Sequence, residues 1–238
     1  MTDVYIASDK ETAYPRKLQK PATLRPSVRE TAETFILDSG IGDDVSNAEV
    51  LDLAEEYNAD FVVAKDYLHD HDKTTESIHE FIDLYESHLC DATPMIPLQP
   101  PHAEHYQDVP EFDTYVLGGM ATDETTDAQA IKWVREFRDV APDVYAHGLG
   151  VGGGIEFTRA VASKGWLDSI DCSTPEVAAS FGCVLDEQLR QQQVRVMTGD
   201  GATKRNIPLG TFNSYQIQDV WNREADRQDT QTKMDTYQ

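Results

Sequence analysis

Three aspartates, a glutamine and a glycine-rich loop follow short apolar runs at places where they could do chemistry together. Asp38 follows Thr34 to Leu37, Asp66 follows Phe61 to Ala64, Asp171 follows Ser169-Ile170, and Gln99 closes the run from Pro94. Gly118-Gly119 follows Thr114 to Leu117, and Val144-Tyr145-Ala146 leads into His147 and the glycines at 148, 150, 152, 153 and 154. Two carboxylates facing one reacting centre can divide the work, one as nucleophile and the other as acid or base, as in retaining glycosyl transfer. A third carboxylate, an amide and backbone N–H groups can satisfy the edge of a planar, purine-like base. Each buried donor left unsatisfied there would cost about 1 to 3 kcal/mol.

These groups meet only if the apolar runs are parallel strands. Val144 to Pro175 reads as one βαβ step: a strand, a glycine loop, a helix over Ile155 to Lys164, and a second strand that ends on a carboxylate. Helical spacing recurs over Ala48 to Tyr57, with Asn47 as a cap, over Thr74 to Leu89 and over Thr126 to Arg138. Val4 to Ser8 reads as the first strand, with a polar loop after it through Tyr14-Pro15 and Lys20-Pro21. Val194 to Met197 reads as the eighth, after a helix over Pro175 to Gln193. The prolines of Pro94 to Gln99 sit poorly in a sheet centre. Short apolar strands alternating with amphipathic helices, eight in number, predict a single-domain α/β fold, a (β/α)8 TIM-type barrel, over residues 1–221. The polar stretch 222–238 reads as a flexible tail. In such a barrel the loops after the strands' C-terminal ends form the active face.

The chain has 43 acids against 20 bases, a net charge of −23, spread along its 238 residues. That pattern fits a surface adapted to very high salt more than an acidic tail. Strong acidity ordinarily repels nucleic acid, but at molar salt the Debye length falls to about 3 Å and the repulsion is largely screened. Local attraction could come from Lys164, Arg195, Lys204 and Arg205, or these could be ordinary solvated surface. Cys90, Cys172 and Cys183 are too few and too irregularly spaced for a disulfide framework or a four-thiolate zinc site, which fits a reducing cytoplasm. His69-x-His71 and the histidines at 79, 88, 102 and 105 show no metal-ligand spacing. The first residues lack the features of an export signal, and no run approaches 18 apolar residues, so neither export nor a membrane partner is expected.

Four short motifs carry a resemblance. Asp38-Ser39-Gly40, Gly118-Gly119-Met120-Ala121, Leu149-Gly150-Val151-Gly152 and Asp171-Cys172 resemble, in order and spacing, the Asp-Ser-Gly-Gly, Gly-Gly-Leu-Ala, Met-Gly-Val-Gly and Phe-Asp-Cys motifs of the tRNA-guanine transglycosylases. The resemblance covers roughly residues 34–183. It implies a (β/α)8 barrel that exchanges guanine in a nucleic acid for a 7-deazaguanine, with no cofactor. Asp171 would be the nucleophile on C1′ and Asp38 the general acid/base. Asp66 and Gln99 would read the guanine edge with the Gly118-Gly119 backbone. Met120, His147, Leu149 and Gly150 would complete the base pocket, with Leu149 against one face.

The departures also inform. Asp38-Ser39-Gly40-Ile41-Gly42 lacks the family's aromatic stacking residue. Its zinc site, Cys-x-Cys-x-x-Cys with a distant His, is absent from the sequence, and Ser173-Thr174-Pro175-Glu176 replaces its basic segment. A barrel without these parts resembles the short viral branch of the family, which installs 7-deazaguanines in DNA, a modification that protects viral DNA from restriction. DNA is therefore expected as the acceptor and tRNA is the alternative, with a halophilic archaeal host and with a homodimer or further modification-system proteins as possible partners. Two other readings stay open: a barrel that binds a base or a protein without chemistry, and a phosphate-binding barrel using the loop from Gly150 to Gly154.

Overall fold

The computed structural model describes residues 1–40, 42, 44–194 and 202–235, with backbone alone at 202–205 and 228–235. Eight parallel strands close on themselves: β1 (Asp3–Ala7), β2 (Arg16–Gln19), β3 (Thr34–Leu37), β4 (Phe61–Val63), β5 (Thr93–Leu98), β6 (Thr114–Leu117), β7 (Tyr145–Gly148) and β8 (Ser169–Cys172). β1 pairs with both β2 and β8, so the sheet has no edge, and the fold is a (β/α)8 barrel. Alternate residues point inward, where Tyr5, Leu18, Ile36, Val63, Met95 and Val116 fill the barrel. The intervening residues, such as Val4, Ile6, Leu117 and Ile170, pack outward against the helices.

The second strand is Arg16–Gln19, inside what the sequence suggests is loop. Its apolar signal is weak because Lys17 and Gln19 are buried polar groups with internal partners. Lys17 Nζ donates to Thr12 O at 2.7 Å and to Thr31 Oγ1, and Gln19 Nε2 donates to Ser8 O at 2.9 Å and Thr23 O at 2.8 Å. With that strand in place the barrel is complete without Val194 to Met197. Val194 is not in a strand, and residues 195–197 lie outside the described residues. Pro94 and Pro97 are accommodated in β5 between β4 and β6, in register with Val62 and Val116.

The helices follow their caps. Ser46 and Glu49 form a reciprocal capping box before α2 (Asn47–Glu56), so Ser46 rather than Asn47 is the cap. Asn47 Oδ1 instead accepts from Lys65 N at 2.9 Å, next to Asp66. Asp70 caps α3 (His71–Ser87), and Thr126 boxes with Gln129 at α5 (Asp127–Val140). The single turns α1 (Pro26–Arg29) and α4 (His102–His105) precede α2 and α5. α6 (Ile155–Ala162) follows β7.

The expected helix over Pro175 to Gln193 is shorter. α7 (Thr174–Ser180) stops before Gly182, whose φ of +69° ends the helix, and a hairpin of β9 (Cys183–Leu185) and β10 (Gln191–Gln193) follows. α8 (Ala202–Asp235) then runs through most of the stretch read as a tail. Its early turns pack on the barrel: Trp221 and Ile217 are buried, and Gln218 Oε1 accepts from Val4 N at 3.0 Å. Beyond 221, Glu224 is also buried, and its Oε2 pairs with Arg227 Nη1 at 2.6 Å. Among the described residues no helix is long and apolar enough to cross a membrane.

Acidic side chains line the outer faces. Glu49, Asp52, Glu55 and Glu56 on α2, and Asp72, Glu76, Glu80, Asp83 and Glu86 on α3, all face solvent. With a net charge of −23, their mutual repulsion opposes compaction, and it weakens as the Debye length falls from about 10 Å at 0.1 M salt to about 3 Å at 1 M. The melting temperature is therefore expected to rise by roughly 10 °C or more between about 0.1 M and about 2 M KCl. Circular dichroism melts in KCl, with isosmotic sucrose as the uncharged control, check this. A flat response to KCl would remove screening as the cause.

Candidate active site

A cavity of about 520 Å³ opens at the C-terminal ends of the strands, the end at which catalytic loops gather in such barrels. Asp38, Gly119, Leu149, Gly150 and Asp171 all line it. Five of the ten residues expected at the site thus line one cavity.

Asp171 is held from two sides through a single oxygen. Its Oδ1 accepts from Gly150 N at 2.9 Å and meets His147 Nε2 at 3.3 Å. Both bonds fall on Oδ1, which leaves Oδ2 for chemistry. Gly150 makes its bond with φ at +73°, and a Cβ there would come within 2.8 Å of Ala121 Cβ, so both conformation and space demand glycine. Its N–H is engaged by Asp171 rather than left for a bound base.

His147 is expected against the base, but it is 0% exposed and sits inside the barrel beneath Asp171. Its Nδ1 accepts from Ser169 Oγ at 2.7 Å, and Ser169 Oγ accepts from Tyr145 OH at 2.8 Å. With each hydroxyl donating upward, His147 carries its proton on Nε2 and donates it to Asp171. The period of two along β7 and β8 puts Tyr145, His147, Ser169 and Asp171 on the same inward face, a signal already present in the sequence. His147→Phe is expected to lower turnover by about tenfold to a hundredfold while leaving the fold intact, because Asp171 keeps the Gly150 bond and loses only one of two restraints. A turnover unchanged in this variant, measured beside its melting curve, would show that the histidine is packing alone.

Asp38 lines the same cavity and is partly exposed. Burial, reinforced by the charges of Asp66 and Asp171, pushes its pKa up to about 7. Asp66 rises to about 6, again mainly through burial, although its hydrogen bond from Gln99 works the other way. Gln99 itself is fully buried. Its Nε2 donates to Asp66 Oδ2 at 2.6 Å and its Oε1 accepts from His69 N at 3.0 Å, so it orients Asp66 rather than facing the cavity.

Gly118 lies against this pair, and both of its backbone groups are engaged. Its N–H donates to Leu98 O at 2.9 Å, and its C=O accepts from His102 Nε2 at 2.8 Å. Of the two glycines it is Gly119 that lines the cavity, with φ at +67° and Pro100 within 2.7 Å of where a Cβ would sit. Met120, expected at the base, is instead buried in the core between barrel and helices.

The histidines behind this wall escape the sequence reading. His105 Nδ1 accepts from Gln99 N at 2.8 Å, and His71 stacks on His105 at 4.4 Å. Burial lowers both His102 and His105 to about 4, so both stay neutral and serve as fixed hydrogen-bond partners. Among the described residues no group of three or more His, Cys, Asp or Glu is placed to hold a metal ion. Cys90, Cys172 and Cys183 are free and buried.

A smaller hollow of about 260 Å³ lies beside the main cavity, bordered by Gly153, Gly154 and the start of α6. Asp127 Oδ2 lies 3.7 Å from where a Cβ on Gly154 would sit, and this carboxylate disfavours a phosphate there.

No protein-family model matches the chain, and no curated protein does. Among solved structures, the CdNal protein of Clostridium difficile, determined with mannosamine, shares 12% identity at a TM-score of 0.40. That match covers 89% of this chain and 62% of the other, so the chain spans less than two thirds of that protein. A protein of Aquifex aeolicus VF5 shares 12% identity at a TM-score of 0.48, over 90% of this chain and 92% of its own. The barrel stands on its own strand pairing, and these distant likenesses say nothing about its substrate.

Proposed function

We propose that this barrel is a transglycosylase that exchanges guanine in DNA for a 7-deazaguanine, such as 7-cyano-7-deazaguanine, through a covalent aspartyl intermediate. One observation carries the reading. A carboxylate held by Gly150 and His147 through one oxygen shares a cavity with a second carboxyl, Asp38, that keeps its proton up to about pH 7. A nucleophile and an acid in one cavity are the two parts that a retaining base exchange needs. The four motifs shared with the tRNA-guanine transglycosylases supply the choice of base.

Asp171 Oδ2 forms a bond to C1′ of the nucleotide as the C1′–N9 bond breaks, and the leaving guanine takes its proton from Asp38. Asp171 is then a neutral ester, and the charge that helped hold Asp38 protonated has gone. The pKa of Asp38 falls, so Asp38 is ready as a base when the incoming 7-deazaguanine gives up its N9 proton and attacks C1′. That attack expels Asp171 as a carboxylate and restores both groups. The Gly119 backbone lines the cavity for the base edge, Asp66, oriented by Gln99, reaches that edge from the adjoining hollow, and Leu149 lies against the base's face.

The test is incorporation of radiolabelled guanine, in molar KCl, into DNA and separately into unmodified tRNA. Label in DNA alone supports the reading. Label in tRNA moves the protein to the RNA-modifying activity. Label in neither, with base or DNA still bound, supports a barrel that binds without chemistry.

A further inference from the structure

The cations of this acidic chain are not spread evenly. Residues 10–29 hold six Lys and Arg against one acid, in a chain with 20 against 43. Three of the six serve the barrel itself: Arg16 pairs with Asp3 at 3.0 Å, Lys17 is buried, and Arg29 donates to Tyr57 O at 2.9 Å and Asn58 O at 2.7 Å. The other three gather at the mouth of the main cavity. Lys20 lines it, and its charge acts on Asp38. Lys10 Nζ and Arg25 Nη2 both reach the lining residue Asp9, at 2.8 and 3.4 Å, and Lys10 lies 3.8 Å from Glu176. The Arg25 side chain is 58% exposed, and its single contact with Asp9 leaves most of its five N–H donors for another acceptor.

Further round the same rim, Tyr67 and Leu68 stand 38% and 40% exposed. Leu68 lines the main cavity, and both residues border an adjoining hollow of about 350 Å³ that also holds Asp44, Lys65, Asp66, Asp70 and Lys73. Lys65 Nζ lies 5.7 Å from the centre of the Tyr67 ring. Charge there is mixed, so what this part of the lip offers is an aromatic and an aliphatic surface.

We propose that the acceptor DNA strand follows this part of the rim. The phosphates beside the extruded nucleotide rest on Lys10, Lys20 and Arg25, and the neighbouring base packs on Tyr67 and Leu68. The identity of the strand rests on the DNA reading given above; its path rests on the charge distribution. A phosphodiester approaching a protein of net charge −23 is best received where cations gather, and Lys10, Lys20 and Arg25 stand together at this part of the mouth beside the carboxylates of Asp9 and Glu176. Stacking on an exposed aromatic supplies sequence-tolerant contact, and it would replace the stacking side chain missing after Asp38-Ser39-Gly40.

The test uses the full chain, fluorescence anisotropy with single-stranded DNA and RNA of one sequence, and exchange kinetics with the DNA. The double variant Lys10→Gln/Arg25→Gln is expected to bind DNA about tenfold more weakly. It should also lower the slope of log K against log salt, taken between about 0.3 M and about 1.5 M KCl, by about 1.5, as two lost phosphate contacts require. The KM for DNA rises and the KM for the free base does not. Tyr67→Ser/Leu68→Ser is expected to weaken binding with the slope unchanged. Lys132→Gln, on the exposed face of α5, is the control and should match the wild type. Unchanged affinity and slope in the first double variant, or an equal loss in the control, would overturn the path. Tighter binding of RNA through the same residues would overturn the commitment to DNA. If the wild type binds DNA through these residues and exchanges no base, the function fails and the surface stands. If it exchanges base and the variants do so with unchanged kinetics, the surface alone fails.

Discussion

Replacing Asp171 with asparagine is expected to reduce base exchange by about four orders of magnitude while leaving the protein folded. The amide is isosteric, and its oxygen can still accept from Gly150 N and His147, so the local arrangement survives. What disappears is the oxygen that, in the proposed mechanism, forms the bond to C1′. The substitution also removes a negative charge that pushes up the pKa of Asp38, so the pKa of Asp38 is expected to fall in this variant. Carbonyl infrared titration of Asp38 would register that shift independently of activity. An Asp171→Asn enzyme within tenfold of wild-type exchange would mean that the nucleophile lies elsewhere.

The second large effect belongs to Asp38. The proposed guanine release needs Asp38 protonated, so in single turnovers with DNA the release step is expected to slow about tenfold per unit as pH rises above about 7. Asp38→Asn should abolish that dependence together with most of the rate.

The same variant tests stability, with a sign fixed by linkage. The folded pKa of Asp38, about 7, lies above its ordinary value of 3.8, so the folded state binds the extra proton between the two values. The stability this group contributes is fully present below about pH 4 and is lost as pH rises through 7. Asparagine carries no such loss. At pH 8 Asp38→Asn is expected to be more stable than wild type by about 1 to 2 kcal/mol, after allowance for the carboxyl's partial exposure, and the two should unfold alike near pH 4. Urea titrations at the two pH values measure both. A variant less stable than wild type at pH 8 would show that Asp38 is a structural ion rather than a strained acid.

The barrel was legible in seven of its eight strands because their apolar runs alternate with amphipathic helices. The eighth, Arg16–Gln19, was not legible, since burial there falls on Lys17 and Gln19, whose partners come from Ser8, Thr12, Thr23 and Thr31. Local hydropathy carries no trace of such distant pairing. The helix expected across Pro175 to Gln193 failed at Gly182, where a left-handed glycine stops α7 before the hairpin. At the site, strand-end position was enough to bring Asp38, Gly119, Leu149, Gly150 and Asp171 to one cavity. It could not separate residues that face the cavity from those behind it. Gln99 and His147 carry polar groups at the same rim, yet each is turned to hold a carboxylate. Met120 follows Gly119, whose φ of +67° turns the chain, and its side chain is buried in the core.

The central claim is a covalent bond between Asp171 and the nucleotide, and trapping it is the most direct test. Enzyme would be incubated with an end-labelled DNA oligonucleotide in molar KCl without any acceptor base, with released guanine removed, then quenched in denaturant and digested for peptide mass spectrometry. The account predicts a denaturant-stable adduct in which the oligonucleotide lacks one guanine and is esterified to Asp171, and which is lost when a 7-deazaguanine is added before the quench. Base exchange that proceeds with no adduct, or with an adduct on another side chain, would contradict it.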